Sequence, residues 1–421
     1  MIQTIELLPG VTLRCFQDSR FKQGCLSLQL VRPMRREEAY KNALLSAVLL
    51  RGTRQHPDLR SITQRLDDLY GAAVSTLVRR VGDYQTVGLY CGFMDDRFAL
   101  PGDAVLEPLI DFVREILLDS PLEDGGFLPA FVEGEKKNLI ATIESERNDK
   151  RAYSMGKLLK IMCREDTFGL PRLGEPEQVA SIDPKDLYAH YRRILATSPI
   201  QLFYVGSAQP ETVAQLLEPM FSQIPRDVEP LAPQTPFHMC QAGDEVEILE
   251  VSQGKLCMGF TTPITNRMQE FPAMQVMNTL FGAGMTSKLF MNIREKLSLC
   301  YSIGSGYYGT KGIVTVCAGI DFDRETQTRQ EILRQLDACK KGEITLEELN
   351  AAKEALLSSL RATHDSPSAI EGYYATAALS GMGMTPEQYM AAVEAVTMEQ
   401  VVAAANTVQL HSTYFLKGER E

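Results

Sequence analysis

Arg294 and Tyr301, seven residues apart, are the side chains of this sequence best placed to act on one ligand. They lie in FGAGMTSKLFMNIREKLSLCYSIGSGY, residues 281–307. Gly282 and Gly284 suit a sharp turn, and Thr286 or Ser287 can cap a following helix. Leu289, Ile293 and Leu297 form one apolar stripe, which leaves Arg294 pointing elsewhere and able to meet a ligand. A helix that persists to Tyr301 makes nearly two turns, so guanidinium and phenol project from similar sides. Ordinary roles stand beside this one. An arginine on an amphipathic helix is usually solvated, and an aromatic after Leu297-Ser298-Leu299 is usually core.

The elements that hold such a pair belong to a chain of 421 residues, longer than the roughly 250 to 300 at which a single core stops growing. No window of apolar residues spans a bilayer, and MIQTIELLPG lacks the basic start and apolar run of a secretory signal. A soluble, cytoplasmic protein with no membrane partner is expected. A net charge of −11 argues against nucleic acid, which needs a positive footprint. Nine cysteines with no Cys-x-x-Cys read as reduced, mostly buried thiols.

The chain repeats itself. Gly24, Pro33 and Gly52 map onto Gly254, Pro263 and Gly282 at a constant offset of 230. Leu26, Leu28 and Leu30 then overlie Leu256, Met258 and Phe260, the alternation of a half-buried strand in both copies. Leu69 maps onto Leu299. Asp183-Pro184 and Thr397 each open a helix that precedes a strand, and Thr345 with Glu348 has capping-box spacing. Residues 226–245, carrying Pro230, Pro233 and Pro236, read as an extended linker. The expected architecture is α+β: two homologous halves, 1–225 and 246–421, each a mainly antiparallel sheet covered by helices.

Other patterns are plain. GAGMTSK lacks the Gly-Lys of a phosphate loop, and Arg79, Arg80 and Asp83 read as a polar turn. Glu37 and Glu38 read as charge at a helix N-terminus. No two of the five histidines lie at helical or hairpin spacing, so a rebuilt zinc site is not expected.

The duplicated halves, the proline-bearing linker, ALLSAVLLRGT and GAGMTSKLFMNIREKLSLCYSIGSG together resemble the insulinase/pitrilysin family of zinc metallopeptidases, over nearly the whole chain. The sharpest likeness is the ordered set Gly282, Ser287, Leu289, Arg294, Leu299 and Tyr301. The resemblance implies that Arg294 and Tyr301 hold a substrate carbonyl and the oxyanion that develops on hydrolysis, and that the halves close as a clamshell. In active members a His-x-x-Glu-His helix and a later glutamate build the zinc site. Counted back from Gly52-Thr53, those motif positions are Ala43, Ser46 and Ala47, and the later glutamate position is Thr142. All four are vacant. The chain resembles the zinc-lacking subunit of two-subunit members: no cofactor of its own, a peptide substrate, and a homologous partner that carries the zinc. The competing readings are a peptide-binding or structural homodimer without proteolysis, and an active peptidase with an unrecognised metal site.

Overall fold

A computed structural model of the protein describes residues 2–419. The first half runs β1 (Ile2–Leu8), β2 (Val11–Gln17), β3 (Gln23–Pro33), α1 (Ala39–Leu49), α2 (Leu59–Asp68), β4 (Ala73–Val81) and β5 (Tyr84–Met94). It continues through α3 (Leu106–Leu118), the small pair β6 (Leu122–Glu123) and β7 (Gly126–Phe127), α4 (Pro129–Glu146) and α5 (Lys150–Met162). It ends with α6 (Pro176–Ala180), α7 (Pro184–Thr197), β8 (Ile200–Gly206) and α8 (Pro210–Ser222). The second half opens with β9 (Asp244–Ile248), β10 (Gly254–Thr261) and α9 (Phe271–Asn278). Two π-helical segments follow, Thr279–Ala283 and Leu289–Lys296, then β11 (Ser302–Tyr308) and β12 (Ile313–Ile320). Last come α10 (Glu325–Lys341), α11 (Leu346–Ala362), α12 (Pro367–Ser380), α13 (Pro386–Ala395), α14 (Met398–Asn406) and β13 (Gln409–Lys417).

The fold is α+β with two mixed sheets. The first has strand order β1-β2-β8-β3-β5-β4 and the second β11-β12-β10-β13-β9. One parallel pair occurs in each, β2 with β8 and β13 with β9; the other pairs are antiparallel. The predicted helix starts are present. Asp183 accepts from the amides of Lys185 and Asp186, and Thr345 and Thr397 each form a capping box. Among the described residues no helix is long and apolar enough to cross a membrane.

Two compact units arise, and neither is one contiguous stretch of sequence. The first comprises Met1–Glu144, Pro171–Pro233 and His364–Thr376; the second comprises Ser145–Leu170, Gln234–Thr363 and Ala377–Glu421. One crossing falls at 233–234, within 226–245. Each half also lends a helical stretch to the other unit.

That exchange corrects the half-buried strand pattern. β3 is buried continuously from Gly24 to Arg32, and β10 from Leu256 to Phe260. Leu26, Leu28 and Leu30 do enter the main core with Leu44 and Val48 of α1. The opposite face of β3 meets 364–376, where Cys25 packs with Ile370 and both Ser27 and Gln29 bond Glu371. In the second unit Cys257 packs against Leu158, Ile161 and Met162 of α5. A strand covered on both sides loses its alternation.

Residues 224–243 form no helix or strand but are pinned at both ends. The Glu229 amide donates to Thr197 O at 2.8 Å in the first unit, and the Phe237 amide donates to Lys311 O at 2.9 Å in the second.

Candidate functional site

The metal positions of the family pattern lie in the first unit. On α1, Ala43 and Ser46 are buried and Ala47 is half-buried. Thr142 is exposed on α4, and its hydroxyl donates back to Asn138 O at 2.9 Å. Zinc takes imidazole, thiolate or carboxylate ligands, and two methyls with two hydroxyls supply none. These residues therefore do not fit the metal. Nearby, Arg51 and Glu135 form an ion pair at 3.3 Å, and Asn138 donates to the same carboxylate at 3.1 Å. Among the described residues no group of three or more His, Cys, Asp or Glu side chains could hold a metal ion.

A histidine does meet α1, in a structural role. His190 Nε2 lies 2.7 Å from Asn42 Oδ1, and its Nδ1 lies 3.1 Å from Arg193 Nη2. An arginine can only donate, so Nδ1 accepts and Nε2–H donates, which is the neutral ring. Burial pushes the imidazole down to about 4. The unfolded ring titrates near ~6.5, so between these values the unfolded chain binds more protons. The contribution of His190 to stability is complete above ~6.5 and is lost as pH falls toward the folded value. Urea unfolding at about pH 7.5 and about pH 5 should show this loss in the wild type and a smaller one in His190→Gln. Equal pH dependence in both would refute the assignment.

Glu38 does stand at the start of α1, as its N-cap residue, but its carboxylate makes no cap bond to the helix. Glu38 is 7% exposed and pairs with Arg32 at 3.2 Å and Arg193 at 2.9 Å. Burial acts to raise its pKa, but the two guanidiniums outweigh it and hold the carboxyl below its usual range.

Arg294 and Tyr301 lie in the second unit, and the helix between them does not persist. The π-helical segment ends at Lys296, with the Leu297 amide donating to Asn292 O, an i→i+5 bond. Ser298 takes φ +50°, and the Tyr301 amide donates to Gly319 O at 2.8 Å as the chain enters β11. The wider π turn explains the stripe: Leu289 and Ile293 are fully buried, whereas Leu297 is 41% exposed. Tyr301 is 61% exposed, so it is not a core aromatic.

Each side chain is held by its own partner. The Arg294 guanidinium lies over the Phe290 ring, 4.6 Å from its centroid, and reaches Glu295 at 3.5 Å. The Tyr301 hydroxyl donates to Asp321 Oδ1 at 3.0 Å. That bond to a carboxylate raises the phenol pKa, so the group stays a donor at neutral pH. Phe290 stands four residues before Arg294, a spacing legible in sequence. Asp321 comes from beyond the β11–β12 hairpin, and only strand pairing reveals it.

The glycines act through space rather than through turn geometry. Neither Gly282 nor Gly284 has positive φ. A Cβ on Gly282 would lie 2.6 Å from Leu289 Cδ1 and 2.8 Å from Ser305 Oγ, so glycine allows close packing beneath the π-helical segment. Gly284 is extended, and a Cβ there would meet nothing nearer than 3.8 Å. The Ser287 hydroxyl accepts the Phe290 amide at 3.4 Å, as a cap.

With this geometry in view, the relatives are informative. A family model described as the peptidase M16 inactive domain matches residues 181–356, which include both Arg294 and Tyr301. The chain is 29% identical over 409 residues to a Bacillus subtilis protein named "Probable inactive metalloprotease YmfF", covering 97% of this chain and 96% of that one. Over residues 181–356, and against a relative of nearly its whole length, the chain is similar to the M16, or pitrilysin/insulinase, family. The chain is similar in structure to a conserved protein from Enterococcus faecalis, with a TM-score of 0.90 and 27% identity over 100% of this chain and 99% of that one. A peptidase M16 inactive domain from Pseudomonas fluorescens shares its fold, with a TM-score of 0.82 and 17% identity over 100% and 98%. The chain is thus a homologue of metalloproteases of the inactive type, with no metal-binding group among its described residues.

Proposed function

We propose that this chain is the non-catalytic subunit of a two-subunit M16 peptidase and donates Arg294 and Tyr301 to a zinc site carried by a homologous partner. One observation carries the reading: the three ligand positions Ala43, Ala47 and Thr142 lack zinc donors and Ser46 stands where the water-activating glutamate would be, while the arginine and tyrosine are both present, partly exposed and oriented by Phe290 and Asp321. Arg294 would hold the peptide carbonyl. Tyr301 would turn its one O–H from Asp321 to the oxyanion as it forms, in a site screened from water.

A peptide substrate would bind as an added strand, where backbone bonds give affinity without strict sequence demands. β4 supports this, because it is the edge strand of the first sheet with Ser75 and Thr76 exposed. A groove of about 320 Å³ lies along it, lined by Ser75, Leu77, Arg79, Tyr90 and Ser368 among others.

The test is recovery of the tagged chain from its native host with metal analysis of what is recovered. The expected result is an associated relative bearing His-x-x-Glu-His, with zinc in the pair and none in this chain alone. Recovery only as a self-associated dimer would favour a peptide-binding or structural role. Stoichiometric zinc and peptide hydrolysis by the chain alone would overturn the proposal.

A further inference from the structure

We propose that Cys257 and Cys317 form a reactive dithiol that a small peroxide closes into a cross-strand disulfide. All nine cysteines are free thiols, eight of them buried, and this pair is set apart by geometry. Cys257 on β10 stands directly opposite Cys317 on β12, with their sulfurs 3.1 Å apart. Directly opposed residues of an antiparallel pair have Cα atoms about 4.5 to 5.5 Å apart. A disulfide accepts that separation without backbone movement.

The other neighbour of Cys317 is Gly304 on β11. Opposed residues share a face of the sheet, and at this position the third strand offers no side chain. The exposed Arg151 fills the space, its Nη2 3.5 Å from where a Cβ on residue 304 would sit. Lys255, two residues before Cys257, points to the same face. The Cys257 thiol bonds to Cys317, and this bond, aided by Arg151 and Lys255 against burial and Asp149, lowers the Cys317 pKa; that of Cys257 is raised. Elsewhere burial pushes the thiols of Cys15, Cys91 and Cys339 up to about 12, which leaves them inert.

The chemistry has two steps. The Cys317 thiolate attacks one peroxide oxygen and breaks the O–O bond, giving a sulfenic acid and hydroxide, which is protonated to water. The Cys257 thiol then attacks that sulfur, forming the S–S bond and releasing a second water as its proton leaves with the departing hydroxyl. The cysteines lose two electrons and the peroxide gains them.

The full chain should be treated with hydrogen peroxide, denatured in acid, alkylated and mapped. The expected result is one linked species joining the Cys257 and Cys317 peptides, short of two hydrogens and restored by a reductant. In Cys257→Ser, a sulfenic-acid trap should mark Cys317. The proposal is overturned if both residues are recovered as free thiols at a peroxide dose that oxidises the half-exposed Cys240, or if Cys317→Ser traps Cys257 instead. The wild-type map decides the matter even where a variant fails to fold.

Discussion

Replacing Glu371 with alanine should lower stability by about 3 kcal/mol, at the low end of the range for breaking a buried pair. The Glu371 side chain is fully buried and receives Ser27 at 2.7 Å, Gln29 at 2.9 Å and both Arg79 terminal nitrogens at 2.8 Å. Its loss removes the acceptor of the buried Ser27 hydroxyl and leaves the buried Gln29 amide only its bond to Ser27 Oγ at 3.1 Å, whereas Arg79, 35% exposed, can be rehydrated. Glu371→Gln keeps an acceptor for Ser27 and should cost less. The urea midpoint, at an unchanged denaturant slope, measures both. A shift below about 1 kcal/mol in Glu371→Ala would show that the cluster does not anchor residues 364–376 to the sheet.

This cluster marks where sequence reasoning stops. Ser27 and Glu371 are 344 positions apart, so no local pattern connects them. Arg79, Arg80 and Asp83 read as a polar turn; the turn is there, between β4 and β5, but the two arginines are in strand β4. The caps at Asp183, Thr345 and Thr397 were legible because capping is chemistry within four residues. The duplication was legible because its register has no gap. Elements equivalent at that offset recur, β3 with β10, β4 with β11, and α2 with the π-helical segment 289–296. The π register, Asp321 and the exchange of helical stretches between units depend on packing, and packing leaves no periodic trace. At the site, the residue types were legible and their orienting partners only in part.

Lys311→Met should cost about 3 to 5 kcal/mol, for the same reason in a drier place. The Lys311 side chain is fully buried, and that of Asp166 is 3% exposed. Their atoms lie 2.9 Å apart, and Asp166 also accepts the amides of Phe168 at 2.8 Å and His238 at 3.2 Å. Lys311 further reaches Thr235 at 3.4 Å. The pair thus fastens the start of the second unit's share of 226–245 to the loop between β11 and β12. Removing the ammonium leaves a buried carboxylate whose two amide donors cannot neutralise it. Lys311→Met with Asp166→Asn removes both charges and should recover most of the loss, a coupling that a double-mutant cycle measures. A double variant no more stable than Lys311→Met would contradict this.

The central claim is that this chain completes another subunit's active site. The direct measurement is steady-state peptide hydrolysis by the reconstituted pair with wild-type chain, Tyr301→Phe and Arg294→Ala. Loss of an oxyanion donor should lower kcat by about 10²-fold in Tyr301→Phe, with KM little changed. Arg294→Ala should lower kcat/KM, and neither variant should weaken subunit association. Hydrolysis at the wild-type rate by both variant pairs would contradict the account.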